Sequence, residues 1–309
     1  MEEKRVVIVN KNVASYISRN DSCVFFTGSS GEAAEKLLAI QPEIVEFVGG
    51  DGTFSATLND VLFNDPGFLK DRKIIIQPKG SGNDRIKALM EINKRVHHSG
   101  VSSKEGLKST SGSTIIRDDY LLATINGSIK RYIFNIGGIG LDSQTLLEYE
   151  ARRELKVPPS LKYFGAATAA IHRLNGYKGL VNYSAGKAIN QSAEPVMFLF
   201  MLGKYFGGGM PINGRLAHDD GQFEAVILNR GTNLKLYSSL VAISLLKQSQ
   251  YTNPIVNYLD PVSSAELKIL STDKFYFESD GEVLMDGKKP LEIKEITVEV
   301  AGKISYLME

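Results

Sequence analysis

The sequence has no tryptophan, one cysteine and four histidines in 309 residues, and each scarcity removes a class of explanation. A lone Cys23 excludes an intrachain disulfide and a thiolate zinc cluster, and its strand-like neighbours predict a buried, inert thiol of the kind that suits a reducing cytoplasm. His97 and His98 are adjacent while His172 and His218 stand apart, so no zinc-ligand spacing exists and these read as solvent-facing or core residues. Lys plus Arg number 36 and Asp plus Glu 35, a net charge of +1, which provides no long-range field toward nucleic acid or an anionic bilayer. No apolar run approaches the ~20 residues that span a bilayer; the longest, Val196 to Leu202 and Leu240 to Leu246, stop far short. The start, Met1-Glu2-Glu3-Lys4-Arg5, lacks the basic-then-apolar plan of a signal peptide. The expected setting is the cytoplasm.

What is present has the balance of a globular protein. Hydrophobic residues make up 43% and charged residues 23%, and 309 residues suffice for two domains with separate cores. Strand-like runs at Arg5–Asn10, Val24–Thr27, Val45–Val48 and Lys73–Gln77 alternate with helical patterns, including Phe54–Phe63 and Arg85–Met90. That alternation predicts an α/β domain with a parallel sheet. Ser29 and Glu32 have the spacing of a capping box. From Ser99 to Ser113 the composition turns to Ser, Gly, Lys and Thr without apolar periodicity, which reads as a mobile connection. Beyond it strand patterns dominate, at 114–116, 120–125, 130–135, 180–183, 195–202, 223–228, 267–270, 274–278 and 295–300, with helical patterns only near 143–155, 161–174 and 234–248. The expected division is an α/β domain over 1–113, a mainly β domain over 114–302, and a segment 303–309 that could return to the first domain.

Two loops carry the chemistry. Val45–Val48 ends abruptly in Gly49-Gly50-Asp51-Gly52-Thr53. Glycines here remove Cβ atoms that would hold an anion away and permit positive φ, while backbone amides and the N-terminus of the following helix attract phosphate. Asp51 cannot bind phosphate directly, so a cation such as Mg²⁺ or a hydroxyl proton must stand between them. Pro78-Lys79-Gly80-Ser81-Gly82-Asn83-Asp84 repeats the strand, glycine loop and helix arrangement. Loops at the carboxyl ends of parallel strands line one crevice, so both could face one ligand. An ordinary βα turn accounts for the first loop's glycines equally well, and Asn83 or Asp84 could simply cap a helix.

In these residues the chain resembles the diacylglycerol kinase catalytic-domain family, particularly its soluble bacterial lipid kinases, which are related to sphingosine and ceramide kinases. Phe134-Asn135-Ile136-Gly137-Gly138-Ile139-Gly140-Leu141-Asp142, Gly207-Gly208-Gly209-Met210-Pro211, Ala217-His218-Asp219-Asp220-Gly221 and Ser279-Asp280-Gly281-Glu282 continue the likeness in the family's order. The resemblance implies a second domain built as a β-sandwich with a few helices, and ATP- and Mg²⁺-dependent phosphoryl transfer to a lipid alcohol, diacylglycerol-like or sphingoid. It also implies transient contact with a membrane surface, no nucleic-acid partner, and an oligomeric state left open, a homodimer included.

The resemblance further implies roles. Gly49, Gly50, Gly52, Thr53, Phe54 and Ser55 would surround the nucleotide phosphates, joined by Ser81 and by Thr27 at the second strand's end. Asp51 would act in catalysis, with Asn83 and Asp84 on the substrate side. Glu282 would be the base with Asp280 its close rival, although Asp280-Gly281 is also a hairpin turn signal. Ala217, Asp220 and Gln222 would hold a Mg²⁺ remote from the phosphates, where a plain turn at Asp219-Asp220-Gly221 is an equal reading. Arg152, Arg153 and Lys156 read as a solvated helix face with membrane contact as the alternative. Departures from the pattern stand at Asn10-Lys11-Asn12-Val13-Ala14, which has no glycine, and at Ser55-Ala56, where the family has Asn-Glu. An NAD kinase, which shares Gly-Gly-Asp-Gly, and a non-catalytic nucleotide or lipid sensor are the competing readings.

Overall fold

A computed structural model of the chain describes residues 4–11, 13, 23–79, 83–99, 107–108, 113–174, 179–207, 209–212, 219–238, 255–271 and 273–308. The first part is α/β, as expected. Strands Arg5–Asn10, Cys23–Thr27, Ile44–Gly49 and Lys73–Pro78 run parallel, linked by helices α1 (Ser30–Ile40), α2 (Asp51–Asn64) and α3 (Asp84–Ser99). Val6 through Val9 are all fully buried, the pattern of a strand covered on both faces rather than one. The capping box forms: Glu32 N donates to Ser29 Oγ at 3.3 Å. Glu32 turns back to accept from Gly28 N at 3.0 Å. The core of this part joins Phe47, Ile74 and Ile76 to Leu37 of α1, Leu58 of α2 and Leu89 of α3.

The sheet does not end with that part. Strand Glu295–Met308 lies parallel to Lys73–Pro78 through Ser305 and Tyr306, and pairs antiparallel along its length with Thr114–Ile125. Through it one 11-stranded sheet continues into Ser264–Ile269, Val181–Ala185 and Ala188–Ala193. A second, seven-stranded sheet contains Glu224–Asn229, Pro195–Met201, Ile136–Gly140 and Phe275–Ser279 in that order. Leu121, Leu267 and Val298 of the first sheet share a core with Phe198, Phe200 and Phe277 of the second, so the two face each other as a sandwich. Helices α4 (Leu141–Glu150) and α5 (Pro159–Arg173) pack together beside it. Among the described residues no helix is long and apolar enough to cross a membrane.

Three local expectations change. Residues 114–116 and 120–125 belong to one strand, because the polar interruption Arg117-Asp118-Asp119 is accommodated: Asp118 is buried against Arg85 of α3 in an ion pair. Ile136–Gly140 is a central strand despite its glycines. Cys23 is exposed, not buried, because its strand lies at the sheet edge. The helical pattern at 234–248 lies largely outside the described residues, as does most of the connection at 99–113.

Candidate active site

Gly50 is the N-cap of α2 with extended φ −100° and ψ 177°, and it offers no side chain to cap the helix. The amides of Asp51 and Gly52 therefore remain available to an anion, while Thr53 N donates back to the Gly50 carbonyl at 3.1 Å. None of Gly49, Gly50 and Gly52 takes a positive φ, which corrects that part of the sequence reading. Size is their contribution: a Cβ on Gly49 would stand 2.9 Å from Thr53 Oγ1, whereas one on Gly52 would meet only Glu282 Oε1, at 3.8 Å. Gly52 thus opens onto free space facing Glu282. Asn10 Nδ2 donates to Thr53 Oγ1 at 3.0 Å, which brings the first strand's end into the site although the sequence there lacks a glycine loop.

Asp51 does two things. Its Oδ2 accepts from Asp84 N at 2.5 Å and Arg85 N at 3.5 Å, so it caps α3 and fixes the second loop against the first. Its Oδ1 is buried with no hydrogen-bond partner. Burial, then the charge of Asp84, pushes its pKa up to about 6, with the two amides opposing. A buried carboxylate oxygen lacking a donor fits a hard divalent cation, so Asp51 is the residue suited to Mg²⁺. Asp84 is buried and lies 3.3 Å from Lys87 Nζ. Asn83 takes the left-handed φ of 53° where the loop turns into α3. Ser81 lies outside the described residues.

The facing wall comes from the hairpin after Phe275–Ser279, turned by Asp280 (φ 50°) and Gly281 (φ 89°) so that Ser279 pairs with Glu282. Asp280 is fully engaged. Its Oδ2 accepts from Ser55 Oγ at 2.7 Å and Phe134 N at 3.0 Å, and its Oδ1 from Asn135 N at 2.8 Å and Ile136 N at 3.1 Å. Burial raises its pKa against these four donors. Glu282 is the opposite case: its side chain is 47% exposed and Arg131 Nη2 holds it at 2.7 Å, while Arg131 Nε bonds Ser279 Oγ at 2.9 Å. One carboxylate locks the turn and the other reaches out from it. Between the walls is a cavity of about 960 Å³, lined by Gly49–Ser55, Asn83–Arg85 and Asp280–Glu282.

Glycine loop, Asp51-capped α3 and acid-bearing hairpin around one cavity can be set beside known proteins. No family model matches the chain. A curated protein of Staphylococcus haemolyticus (strain JCSC1435), named as a "putative lipid kinase", is 24% identical over 266 residues, covering 86% of this chain and 76% of its own. A crystal structure described as a "putative diacylglycerol kinase" from Bacillus anthracis str. Sterne superposes with a TM-score of 0.65 at 17% identity, over 99% of this chain and 97% of that one. Another, described as a diacylglycerol kinase of the same strain, gives 0.61 at 16% identity over the same shares. The chain has the diacylglycerol-kinase-like catalytic fold. Its motifs and these likenesses agree on a lipid-kinase-like catalytic domain of the kind that carries out phosphotransfer.

Within this diacylglycerol-kinase-like fold the remaining residues fall in different places. Phe54 is a core residue: its ring meets Phe47 at 5.5 Å and Phe134 at 5.2 Å, both edge-on, and Tyr306 at 6.2 Å, so α2 is pinned to both parts of the molecule. Ser55 gives its hydroxyl to Asp280. Thr27 is buried beside Asn10 and is not part of the cavity wall. Asp220 and Gln222 are exposed and away from the cavity, and Gln222 N donates to Asp220 Oδ1 at 3.2 Å. Beside them Lys303 Nζ forms an ion pair with Asp219, donates to its carbonyl at 2.8 Å and lies 3.6 Å from Asp119 Oδ1. Ala217 lies outside the described residues. Among the described residues no cluster of three or more His, Cys, Asp or Glu could hold a metal ion.

Sequence reasoning passed over Asn10, Arg131 and Glu278 as site residues. Asn10 was in view as part of a missing loop. Arg131 had no local signal, since its partner Glu282 is 151 residues away. Glu278 had the one usable sign, an acid two residues before Asp280 on a strand that buries its neighbours.

Proposed function

We propose that this protein is an ATP- and Mg²⁺-dependent lipid kinase that transfers the γ-phosphate to a lipid hydroxyl. The observation that carries the reading is Glu282, held by Arg131 at the cavity face of Gly52, with no Cβ between its carboxylate and the helix N-terminus that would receive phosphate. Phosphoryl transfer needs positioning, charge neutralisation and a base for the acceptor proton. Amides of Gly50–Gly52 would bind the phosphates, and Asp51 would hold Mg²⁺, which supplies charge neutralisation on the phosphate oxygens. Glu282 accepts the hydroxyl proton as the acceptor oxygen bonds to the γ-phosphorus and the bond to the β-phosphate oxygen breaks, releasing ADP. Asp280 has both oxygens occupied and serves as the positioning residue. A separate Mg²⁺ at Asp220 is a weaker proposal, since Lys303 already supplies positive charge next to that loop.

Access from a membrane surface is part of the proposal. Leu155 and Val157 between α4 and α5, and Leu161 in the first turn of α5, are exposed at 53%, 45% and 63%. Arg153 and Lys156 accompany them, and Arg153 also lines the cavity. Apolar side chains flanked by cations suit the interface of an anionic bilayer.

The deciding measurement is transfer of labelled phosphate from ATP to diacylglycerol, to a long-chain amino alcohol and to NAD. Transfer to a lipid is expected, and Glu282→Gln should lower the single-turnover rate by about 10²–10⁴-fold with nucleotide binding retained. Phosphorylation of NAD alone would replace the reading with an NAD kinase. Nucleotide binding without transfer to any acceptor would replace it with a sensor.

A further inference from the structure

The cavity wall carries an imbalance of charge that a nucleotide's phosphates would have to meet. Six carboxyl groups line it, those of Asp51, Asp84, Asp142, Glu278, Asp280 and Glu282, against the basic side chains of Lys79, Arg85 and Arg153. Carboxylates repel a triphosphate, and a single Mg²⁺ at Asp51 offsets only part of the summed negative charge. Two of the three cations are committed: Arg85 is buried in its ion pair with Asp118, and Arg153 lies 3.0 Å from Glu150 Oε1. Lys79 is exposed, and among the described residues no acid pairs with it.

The backbone sets Lys79 beside the glycine loop. Pro78, the last residue of its strand, is the register partner of Gly49, and Lys79 N donates to the Gly49 carbonyl at 2.8 Å. Lys79 is thus level with Gly50, the N-cap of α2, about one strand spacing (~4.8 Å) to the side. A four-carbon stem spans such a gap. The neighbouring lysines are engaged elsewhere. A Cβ on Gly28 would fall 2.7 Å from Lys11 Nζ, so Lys11 lies over the end of the second strand, and it is not part of the cavity wall. Lys87 Nζ is 3.3 Å from Asp84 Oδ1. The end of the first strand, Asn10-Lys11, therefore brings neither a glycine nor a cation to the cavity, and Asn10 is bonded to Thr53.

We propose that Lys79 binds the phosphate tail of the nucleotide, as a side-chain cation beside the amides of Asp51 and Gly52. This rests on the kinase reading above and adds a residue to it. An ammonium supplies three donors and a compact positive charge, which suits phosphate oxygens from more than one direction. Exposure favours the role, because a buried ammonium would lose its hydration before any phosphate arrived to replace it. The gain is confined to ligands that carry phosphate: Lys79 strengthens ATP and ADP and does little for adenosine. Arginine at this position would keep the charge on a stem of similar reach, whereas methionine would keep the apolar stem and lose the charge.

The test is titration calorimetry of the full chain with ATP, ADP and adenosine, with Mg²⁺ present and ionic strength fixed. Lys79→Met should weaken ATP and ADP by about tenfold or more, the scale of a hydrogen bond to a charged group, and leave adenosine within about twofold. Lys79→Arg should hold ATP affinity within about threefold of wild type. Lys187→Met removes the same charge from a 94% exposed side chain outside the cavity wall and should leave ATP affinity unchanged. Undiminished ATP affinity in Lys79→Met, an equal loss for adenosine, or an equal loss in Lys187→Met would overturn the assignment while leaving a nucleotide-binding protein. If wild type binds no adenine nucleotide, the kinase reading falls instead. Inorganic triphosphate then decides the phosphate contact: weaker binding to Lys79→Met than to wild type upholds it, and equal or absent binding removes it.

Discussion

The two walls of the cavity are made by different means. On the glycine-loop side the proposed anion site is backbone: glycines, amides and a helix N-terminus whose geometry follows from a dozen consecutive residues. Across from it the wall is made of buried carboxyls, Glu278 and Asp280 from one hairpin and Asp142 from α4. Backbone sites bind charge without burying any of their own, so they cost little stability. Side-chain sites of this kind pay in desolvation and must be held by a network, as the four donors to Asp280 show.

That contrast can be broken most sharply at Asp280. Asp280→Ala strands three amides and a hydroxyl near the centre of the molecule and should destabilise it by about 3–5 kcal/mol in denaturant unfolding. Glu282→Gln, two residues on, should stay within about 0.5 kcal/mol of wild type in the same experiment. Equal stability of both variants would remove the distinction between a carboxylate that holds the turn and one that acts from it.

At Asp51 the two kinds of wall meet in one side chain. Its folded pKa of about 6 exceeds the ordinary carboxyl value of 3.8, so the favourable contribution of this group is complete below about 4 and is lost as pH rises through about 6. Metal-free protein should lose on the order of 3 kcal/mol from this source across that window, and Asp51→Asn should flatten that part of the stability profile. An unchanged profile in Asp51→Asn would mean the group is solvated. Gly52→Ala should give the smallest change in fold: stability equal to wild type or about 0.5–1 kcal/mol higher, since alanine favours a helix, with ATP affinity lowered by roughly tenfold because the new methyl occupies the anion's approach. Titration calorimetry with ATP checks this, and undiminished affinity would move the phosphates elsewhere.

Legibility follows the same division. The α/β alternation, the Gly49 to Thr53 loop, the Ser29 cap and the Asp280-Gly281 turn could be read from the sequence because each is decided by near neighbours. Strand Ile136–Gly140 could not, since glycines carry no strand preference and their need is set by the close passage of Phe277 at Gly137, Leu199 at Gly138 and Val196 at Gly140. Nor could the single strand Thr114–Ile125 be read through Arg117-Asp118-Asp119, because Arg85, which buries that interruption, lies far upstream. Ser55 reads locally as a phosphate ligand, yet its partner Asp280 is 225 residues away. Asp51 reads as a catalytic acid, and its capping of α3 depends on a loop 33 residues downstream.

The long strand Glu295–Met308 has a bearing on how the molecule is made. Ser305 and Tyr306 complete the edge of Lys73–Pro78, and Tyr306 stacks near Phe54 and under Arg85. On the ribosome the α/β half emerges first, but the strand that closes its sheet and covers that core emerges more than two hundred residues later. Until then Lys73–Pro78 presents an open edge and an uncovered Phe54, the kind of surface that invites mispairing. Folding of the early half therefore waits on the late strand, and the two halves reach the native state in a single commitment rather than one after the other.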